Sequence, residues 1–303
     1  MIDLRNIETF YWVATLGGFR TAAEKLHATQ PAISQRVRAL EEGLGVKVFD
    51  RDARGVALTA KGQELLPFAE RMLRLRLEML QAVRAETVIR GTLRLGVSET
   101  IVHTWLPRLM ERLHDAYPAL LMEIEVDTST LLKEQINNHQ LDLGFLLGPM
   151  TESHVYSLEL CEYPLRWLAS PRLALGPEPV SLRRIAEWPV ITYPASTDPH
   201  REIRSMLRGA SSDPVRMYGS AAISVIVRMA QDAIGTAVIA PVTAHRALED
   251  GSLRMLEVDA PPLPSLRYTA CWRHGPNDLL PRVVAQTALQ VAREDALMDL
   301  GKY

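Results

Sequence analysis

The chain has 303 residues, 47% hydrophobic and 23% charged, with a formal net charge of -2 at pH 7. That length favours two domains, each able to bury its own core, and the composition is that of a globular, soluble protein. No apolar run approaches the roughly 18 residues of a membrane span, and the start MIDLRNIETFYWVA lacks a secretory signal pattern. Cys161 and Cys271 are too few for a disulfide framework or a four-cysteine metal site, so a reducing cytoplasm is the expected location.

Divided, the charge is uneven. Residues 1–90 hold 14 Lys and Arg against 11 Asp and Glu, or +3, and the remainder 20 against 25, or -5. The sign is the one expected if the N-terminal part meets a polyanion.

Leu4, Ile7, Phe10, Tyr11 and Ala14 stand at helical spacing, and Gly17-Gly18 stops that helix. RTAAEKL forms a second, short helix. A third starts after a connection around His27 and Ala28, with Thr29 placed to N-cap it and Pro31 in its first turn, where a missing N–H breaks no intrahelical bond. Ile33, Val37, Leu40 and Leu44 recur at steps of four, three and four as a buried stripe, while Gln30, Ser34 and Arg38 share the opposite, outward face. VKVFDRDARGVALTAKG then alternates as a two-stranded hairpin with Arg51 and Arg54 flanking its tip. Three helices and a basic hairpin within about 60 residues have the outline of a winged helix-turn-helix.

Thr59 is placed to N-cap a helix running to about Glu86, on the order of 40 Å long. Leu66, Leu73 and Leu80 fall seven apart with Ala69 and Val83 between or beyond them, a short coiled-coil-like seam interrupted by Arg76 that reads as a dimerisation and connector helix. From Gly91 strands and helices alternate: strands at 92–97, 120–126 and 141–147, with helices at 101–114 and 130–138. Further strands are expected near 163–169, 189–193, 214–218 and 235–240, and helices near 199–208 and 221–231. A last strand at 266–273 and a helix at 279–298 complete an α/β pattern of two lobes, one following the other.

The segment FRTAAEKLHATQPAISQRVRALEEGLGVKVFDRDARGVALTAKG resembles the DNA-binding domain of LysR-type transcriptional regulators. Phe19, Ala22, Ala23, Leu26, Gln30, Pro31, Ala32, Ser34, Leu40, Glu41, Leu44, Gly45, Phe49, Arg51, Leu58, Thr59 and Gly62 carry the match, and LRLGV, LDLGFLLG and DAIGTAVIAP extend it more loosely along the chain. Asp232-Ala233 stands where that family commonly has a glycine.

The resemblance implies an α/β protein with an N-terminal winged helix-turn-helix at 1–61 (motif about 19–38) and a linker helix at 62–90. A two-lobed effector-binding domain of periplasmic-binding-protein type would follow at 91–303, with lobe I at about 91–161 and 267–303 and lobe II at about 162–266. It implies double-stranded DNA as partner and a dimer through the linker helix that assembles to a homotetramer. RNA polymerase is counted among the partners such a regulator can meet, and neither a membrane nor a cofactor is implied.

On DNA, Gln30 suits an adenine edge, Arg38 a guanine or phosphate, Ser34 a close approach and Pro31 a thymine methyl. Arg20 and Thr21 at the start of the preceding helix, and Arg36 on the flank, are placed for phosphates, and by the resemblance Arg51 and Arg54 lie along the backbone or in the minor groove.

Hydroxyl residues mark several helix starts: Ser98 and Thr100 before Ile101, Thr128, Ser129 and Thr130 at the next helix, and Ser220 before a later one. Asp198-Pro199 opens another in N-cap, N1 fashion. Such starts offer free N–H groups and the positive end of a helix dipole, which favour an anion. By the resemblance these starts, with the strand ends at Leu147 and Ile239, line a cleft between lobes, and Tyr193, His200 and Arg201 add a phenol and positive charge. The expected effector is therefore anionic or an aromatic acid, with Glu99 turned to solvent. No HExxH, GxSxG, GxGxxG or P-loop pattern is present and the eight histidines are scattered, so no catalytic or metal site is expected. An enzyme or solute-binding protein with an N-terminal assembly unit, and a regulator without a ligand, are the competing readings.

Overall fold

The computed structural model describes residues 3–52, 55–83, 90–209, 214–275 and 278–299. They divide into two units, one formed by the described residues up to 83 and the other built mainly from residue 90 onward.

In the first unit α1 (Leu4–Leu16), α2 (Phe19–Lys25) and α3 (Gln30–Leu44) precede a hairpin of β1 (Phe49–Asp52) and β2 (Gly55–Leu58), and α4 (Ala60–Val83) follows. The Asp3 carboxylate caps α1 by accepting from Arg5 N at 3.0 Å. Helices α1 and α3 end on Gly17 (φ 66°) and Gly45 (φ 70°), left-handed positions that favour glycine. Ile7, Phe10 and Val13 of α1, Ala22 of α2, and Ile33, Val37 and Leu40 of α3 form one core with Val48. Burying a large aliphatic side chain of this kind contributes about 1.5–3 kcal/mol.

Two expectations for this unit change. Thr29 holds the N-cap position of α3, but its hydroxyl makes no capping hydrogen bond; Pro31 is the second helical residue and has no N–H to donate. On α4, the predicted seam turns inward. Ala69 and Leu73 are buried in the unit's own core, where α4 packs on α1, and Leu66 is half-buried. Among the described side chains of α4, Phe68, Met72, Leu75 and Met79, at steps of four, three and four, are the large apolar ones left exposed. The side chains of Leu80 and Val83, and the expected end of the helix at Glu86, lie outside the described residues. Thr59 does cap α4: its Oγ1 accepts from Gly62 N at 3.0 Å and donates to Lys47 O at 2.8 Å. A Cβ at Gly62 would stand 2.1 Å from Val48 O, so this turn of α4 closes on the hairpin only with glycine there.

The second unit begins with β3 (Gly91–Val97), α5 (Glu99–Val102), α6 (Leu106–Ala116), β4 (Leu120–Val126), α7 (Ser129–Asn137), β5 (Leu143–Leu147) and β6 (Val155–Pro164). Next come β7 (Arg166–Ala169), β8 (Val180–Ser181), α8 (Leu182–Ala186), β9 (Val190–Thr192), α9 (Asp198–Leu207), β10 (Met217–Gly219), α10 (Ile223–Gln231) and β11 (Thr236–Ile239). After a 3₁₀ turn, α11 (His245–Glu249), β12 (Arg254–Met255), β13 (Val258–Asp259), β14 (Ser265–Arg273) and α12 (Leu279–Asp299) complete it.

One five-stranded sheet has the order β4-β3-β5-β14-β6 and another β10-β9-β11-β7-β12, with β8 and β13 paired apart. β3 runs parallel to β4 and β5, whereas β14 is antiparallel to β5 and β6. In the second sheet β9 is parallel to β10 and β11, and β7 is antiparallel to β11 and β12. The chain thus leaves the first sheet after Pro164 and re-enters it at Ser265.

The helix expected at 101–114 is two helices. Pro107 has no N–H and its ring crowds the preceding turn, so the chain resets at Trp105 and α6 starts there anew. The strand expected near 163–169 is likewise two, β6 in the first sheet and β7 in the second.

The two cysteines lie on opposite faces of the first sheet. Cys161 packs toward Trp105 and Tyr268, and Cys271 is buried with Leu132, Ile136 and Leu146. They form no pair, and burial pushes the Cys161 thiol up to about 11.

Candidate functional sites

The outward face of α3 is built as its spacing predicts. Gln30, Pro31 and Arg38 are exposed, Ser34 and Arg36 partly so, while Ile33, Val37 and Leu40 are turned into the core. On α2, Arg20 is exposed and pairs with Glu24 at 3.2 Å. The Thr21 hydroxyl donates to Gly18 O at 3.0 Å, tying the turn between α1 and α2. Arg51 stands on β1, its side chain outside the described residues, as is Arg54.

Glu41, a feature missed by periodicity, ties this helix to the hairpin. Its carboxylate is nearly buried and accepts from Val48 N at 3.0 Å, Phe49 N at 3.4 Å and Lys47 Nζ at 2.6 Å. Burial opposes its ionisation, but the hydrogen bonds from Lys47, Val48 and Phe49 outweigh that and hold the carboxyl below its ordinary range. A glutamate on an otherwise apolar face, four residues after Val37, was the available signal.

In the second unit a cavity of about 350 Å³ opens where the carboxyl ends of β3, β4 and β5 meet loops and helix starts of the second sheet. Its first wall is Ser98, Glu99 and Thr100, then Val126 to Ser129, Leu147 and Tyr268; the second is Tyr193, Pro194, Thr197, Pro199 and 221–223. The volume is in the range of small-molecule sites. Ser98 Oγ and Ser129 Oγ stand 3.1 Å apart, and Ser129 Oγ accepts from Leu147 N at 2.8 Å, which joins β3, α7 and β5 at the rim.

Of the residues expected here, Ser98, Thr100, Thr128, Ser129, Leu147, Tyr193 and Pro199 line the cavity. Four do not. Ile101 and Ile239 are fully buried in the packing beneath α5 and α10. Ser220 Oγ accepts from Ala222 N at 3.1 Å and tightens the turn before α10. Arg201 is exposed and bonded to Asp198 and, at 3.1 Å, to Ser196 O. Thr197 is the N-cap of α9, with Asp198 its first residue, so the expected cap lies one residue earlier. His200 is buried, its Nδ1 donating to the Tyr193 carbonyl at 2.9 Å.

Glu99 points inward, against the expectation that it faces solvent. Its Oε2 accepts from Ile223 N at 2.8 Å, at the first residue of α10, and its Oε1 lies 3.4 Å from His103 Nε2. The free N–H groups and positive dipole end of α10 attract this carboxylate across the cavity. Asp127 repeats the arrangement at the start of α7, its Oδ1 accepting from Thr128 N at 2.6 Å. Among the described lining residues these two are the charged ones.

The Tyr193 hydroxyl is buried and makes no hydrogen bond of ordinary geometry. Burial, only partly offset by Thr100 and the Ala240 backbone, pushes its pKa up to about 12; burial raises Tyr268 as well. Both phenols therefore stay protonated at neutral pH. Tyr268 comes from the middle of β14, some 170 residues after the first wall, and nothing local in the sequence marks it.

Residues 4–63 match the bacterial regulatory helix-turn-helix proteins of the lysR family, and residues 86–293 match the LysR substrate binding domain. The chain is 29% identical over 288 residues to the HTH-type transcriptional regulator IlvR of Caulobacter vibrioides, covering 90% of this chain and 92% of that protein. It is 31% identical over 190 residues to the RuBisCO operon transcriptional regulator of Allochromatium vinosum, covering 61% of this chain and 62% of that one. The fold is that of full-length LysG from Corynebacterium glutamicum, solved with bound effector Arg, at a TM-score of 0.61 and 18% identity over 96% of this chain and 98% of that one. With both of the family's domains present in one polypeptide, the chain belongs to the LysR family of DNA-binding transcriptional regulators.

Proposed function

We propose that the protein controls transcription by binding operator DNA through α3 and a small molecule through the cavity of the second unit. The observation that carries this reading is a helix whose apolar stripe is spent on its own core and whose Gln30, Pro31 and Arg38 are left facing outward, in one chain with a 350 Å³ cavity. Helix α3 enters the major groove with Gln30, Pro31, Ser34 and Arg38 toward base edges, and Arg20, Thr21 and Arg36 along phosphates. Arg51 and Arg54 extend the contact from the hairpin.

The same reading takes 1–61 as the DNA-binding domain, 62–90 as the linker and 91–303 as the effector domain. A dimer forms through α4, supported by the exposed stripe of Phe68, Met72, Leu75 and Met79, and pairs of dimers make a homotetramer. The protein acts in the cytoplasm as a binding protein and not as an enzyme; no helix among the described residues is long and apolar enough to cross a membrane.

Ligand binding changes DNA binding only through a difference in affinity for two arrangements of the assembly. Fluorescence anisotropy with fragments of the neighbouring promoter tests the reading. Arg38→Ala weakens binding by about 1–3 kcal/mol if Arg38 reads a base, and equal affinity at fixed salt removes it from the interface.

A further inference from the structure

On the reading of the cavity as an effector site, we propose that its ligand is an organic cation, an amine or guanidine, whose charged group meets the carboxylates of Glu99 and Asp127. Of the helix starts that line the cavity, those of α10 and α7 already carry a carboxylate of the chain itself. Glu99 Oε2 takes Ile223 N at α10, and Asp127 Oδ1 takes Thr128 N beside α7. An incoming carboxylate meets two like charges in a partly enclosed, poorly screened space. A cation meets the reverse. Among the described residues neither carboxylate has a lysine or arginine within ion-pair distance; Glu99 has only His103, and Arg201 is engaged by Asp198. The charged side chains of the described lining are therefore all negative.

Two further features suit such a ligand. Tyr193 and Tyr268 bring aromatic rings to the same lining, and Val126 and Leu147 offer apolar surface for an aliphatic stem.

Isothermal titration calorimetry of the full chain with L-arginine, agmatine and putrescine, against benzoate and succinate, tests the proposal. At least one of the three cations is expected to bind, and Glu99→Gln and Asp127→Asn each weaken it at least tenfold. The amide introduced by Glu99→Gln retains an oxygen to accept from Ile223 N, so that variant keeps the contact to α10, and an unchanged melting temperature checks this. Agmatine and putrescine without L-arginine show that no carboxylate is wanted; L-arginine alone shows that the cation must carry one. Binding by benzoate or succinate and by no cation overturns the proposal, as does silence from all three cations at millimolar concentration, or cation affinity unchanged in both variants. Ala222→Trp, which fills the cavity, separates the two levels. If acids bind and Ala222→Trp abolishes them, the effector site stands and its charge class falls; if a cation binds Ala222→Trp as it binds the parent, the site itself is wrong.

Discussion

Glu41 offers the sharpest test of how α3 is held. In Glu41→Ala the buried amide of Val48 loses an acceptor at 3.0 Å and that of Phe49 a longer one at 3.4 Å. An orphaned buried donor costs about 1–3 kcal/mol. The longer contact counts for less, and the Lys47 partner is 73% exposed, so its ion pair adds at most about 1 kcal/mol. The loss comes to about 2–4 kcal/mol, and Glu41→Gln, which keeps one acceptor oxygen, loses about 1 kcal/mol. The stabilisation also has a pH signature. Because the folded pKa lies below the ordinary 4.5, the contribution is fully present above that value and disappears as the pH falls through the folded one. Hydrogen–deuterium exchange reads the effect locally: 2 kcal/mol is about a 30-fold faster exchange in peptides covering 46–52, with those of the second unit unchanged. Exchange within twofold of the parent at neutral pH would refute the assignment of Glu41 as the tie between helix and hairpin.

Two other perturbations follow from particular backbones and faces. Ala233 sits at φ 57°, which costs an L side chain about 1–2 kcal/mol, whereas glycine adds about 0.4–1 kcal/mol of unfolded-chain entropy. Ala233→Gly is thus expected to stabilise the second unit by about 0.5–1 kcal/mol, a rise of a few degrees in its thermal transition, and a fall in that transition contradicts the strain argument. Leu75→Glu places a charge in the middle of the exposed stripe of α4. Sedimentation velocity should show the assembly reduced to monomers; an unchanged mass moves the dimer contact elsewhere.

Much of the first unit could be read before its structure. The steps 33, 37, 40 and 30, 34, 38 assign inward and outward faces with no knowledge of what lies opposite, because a helix repeats every 3.6 residues. Thr59 was legible for a similar local reason, its hydroxyl and the N–H it caps being three residues apart in one turn. The misreadings have local causes too. Pro31 marked the start of α3 correctly, although the Thr29 hydroxyl makes no capping bond there, and Pro107 split a helix that apolar spacing alone would continue. On α4 two apolar stripes coexist, and spacing cannot say which of them another element will cover; α1 covers the one holding Ala69 and Leu73.

The effector cavity divides along the same line. Hydroxyls at helix starts are patterns within a dozen residues and marked Ser98, Thr100, Thr128 and Ser129; it was the family resemblance that gathered them, with Leu147, around one cleft. The charge of the site was not marked. Glu99 turns inward because the start of α10, 124 residues later, presents an unpaired N–H to it, and Tyr268 arrives through a strand that returns to the first sheet after the second is complete. The order of the elements and the inward face of α3 were set by near neighbours along the chain. Which carboxylates share the cavity follows instead from the distant segments that the two sheets bring together.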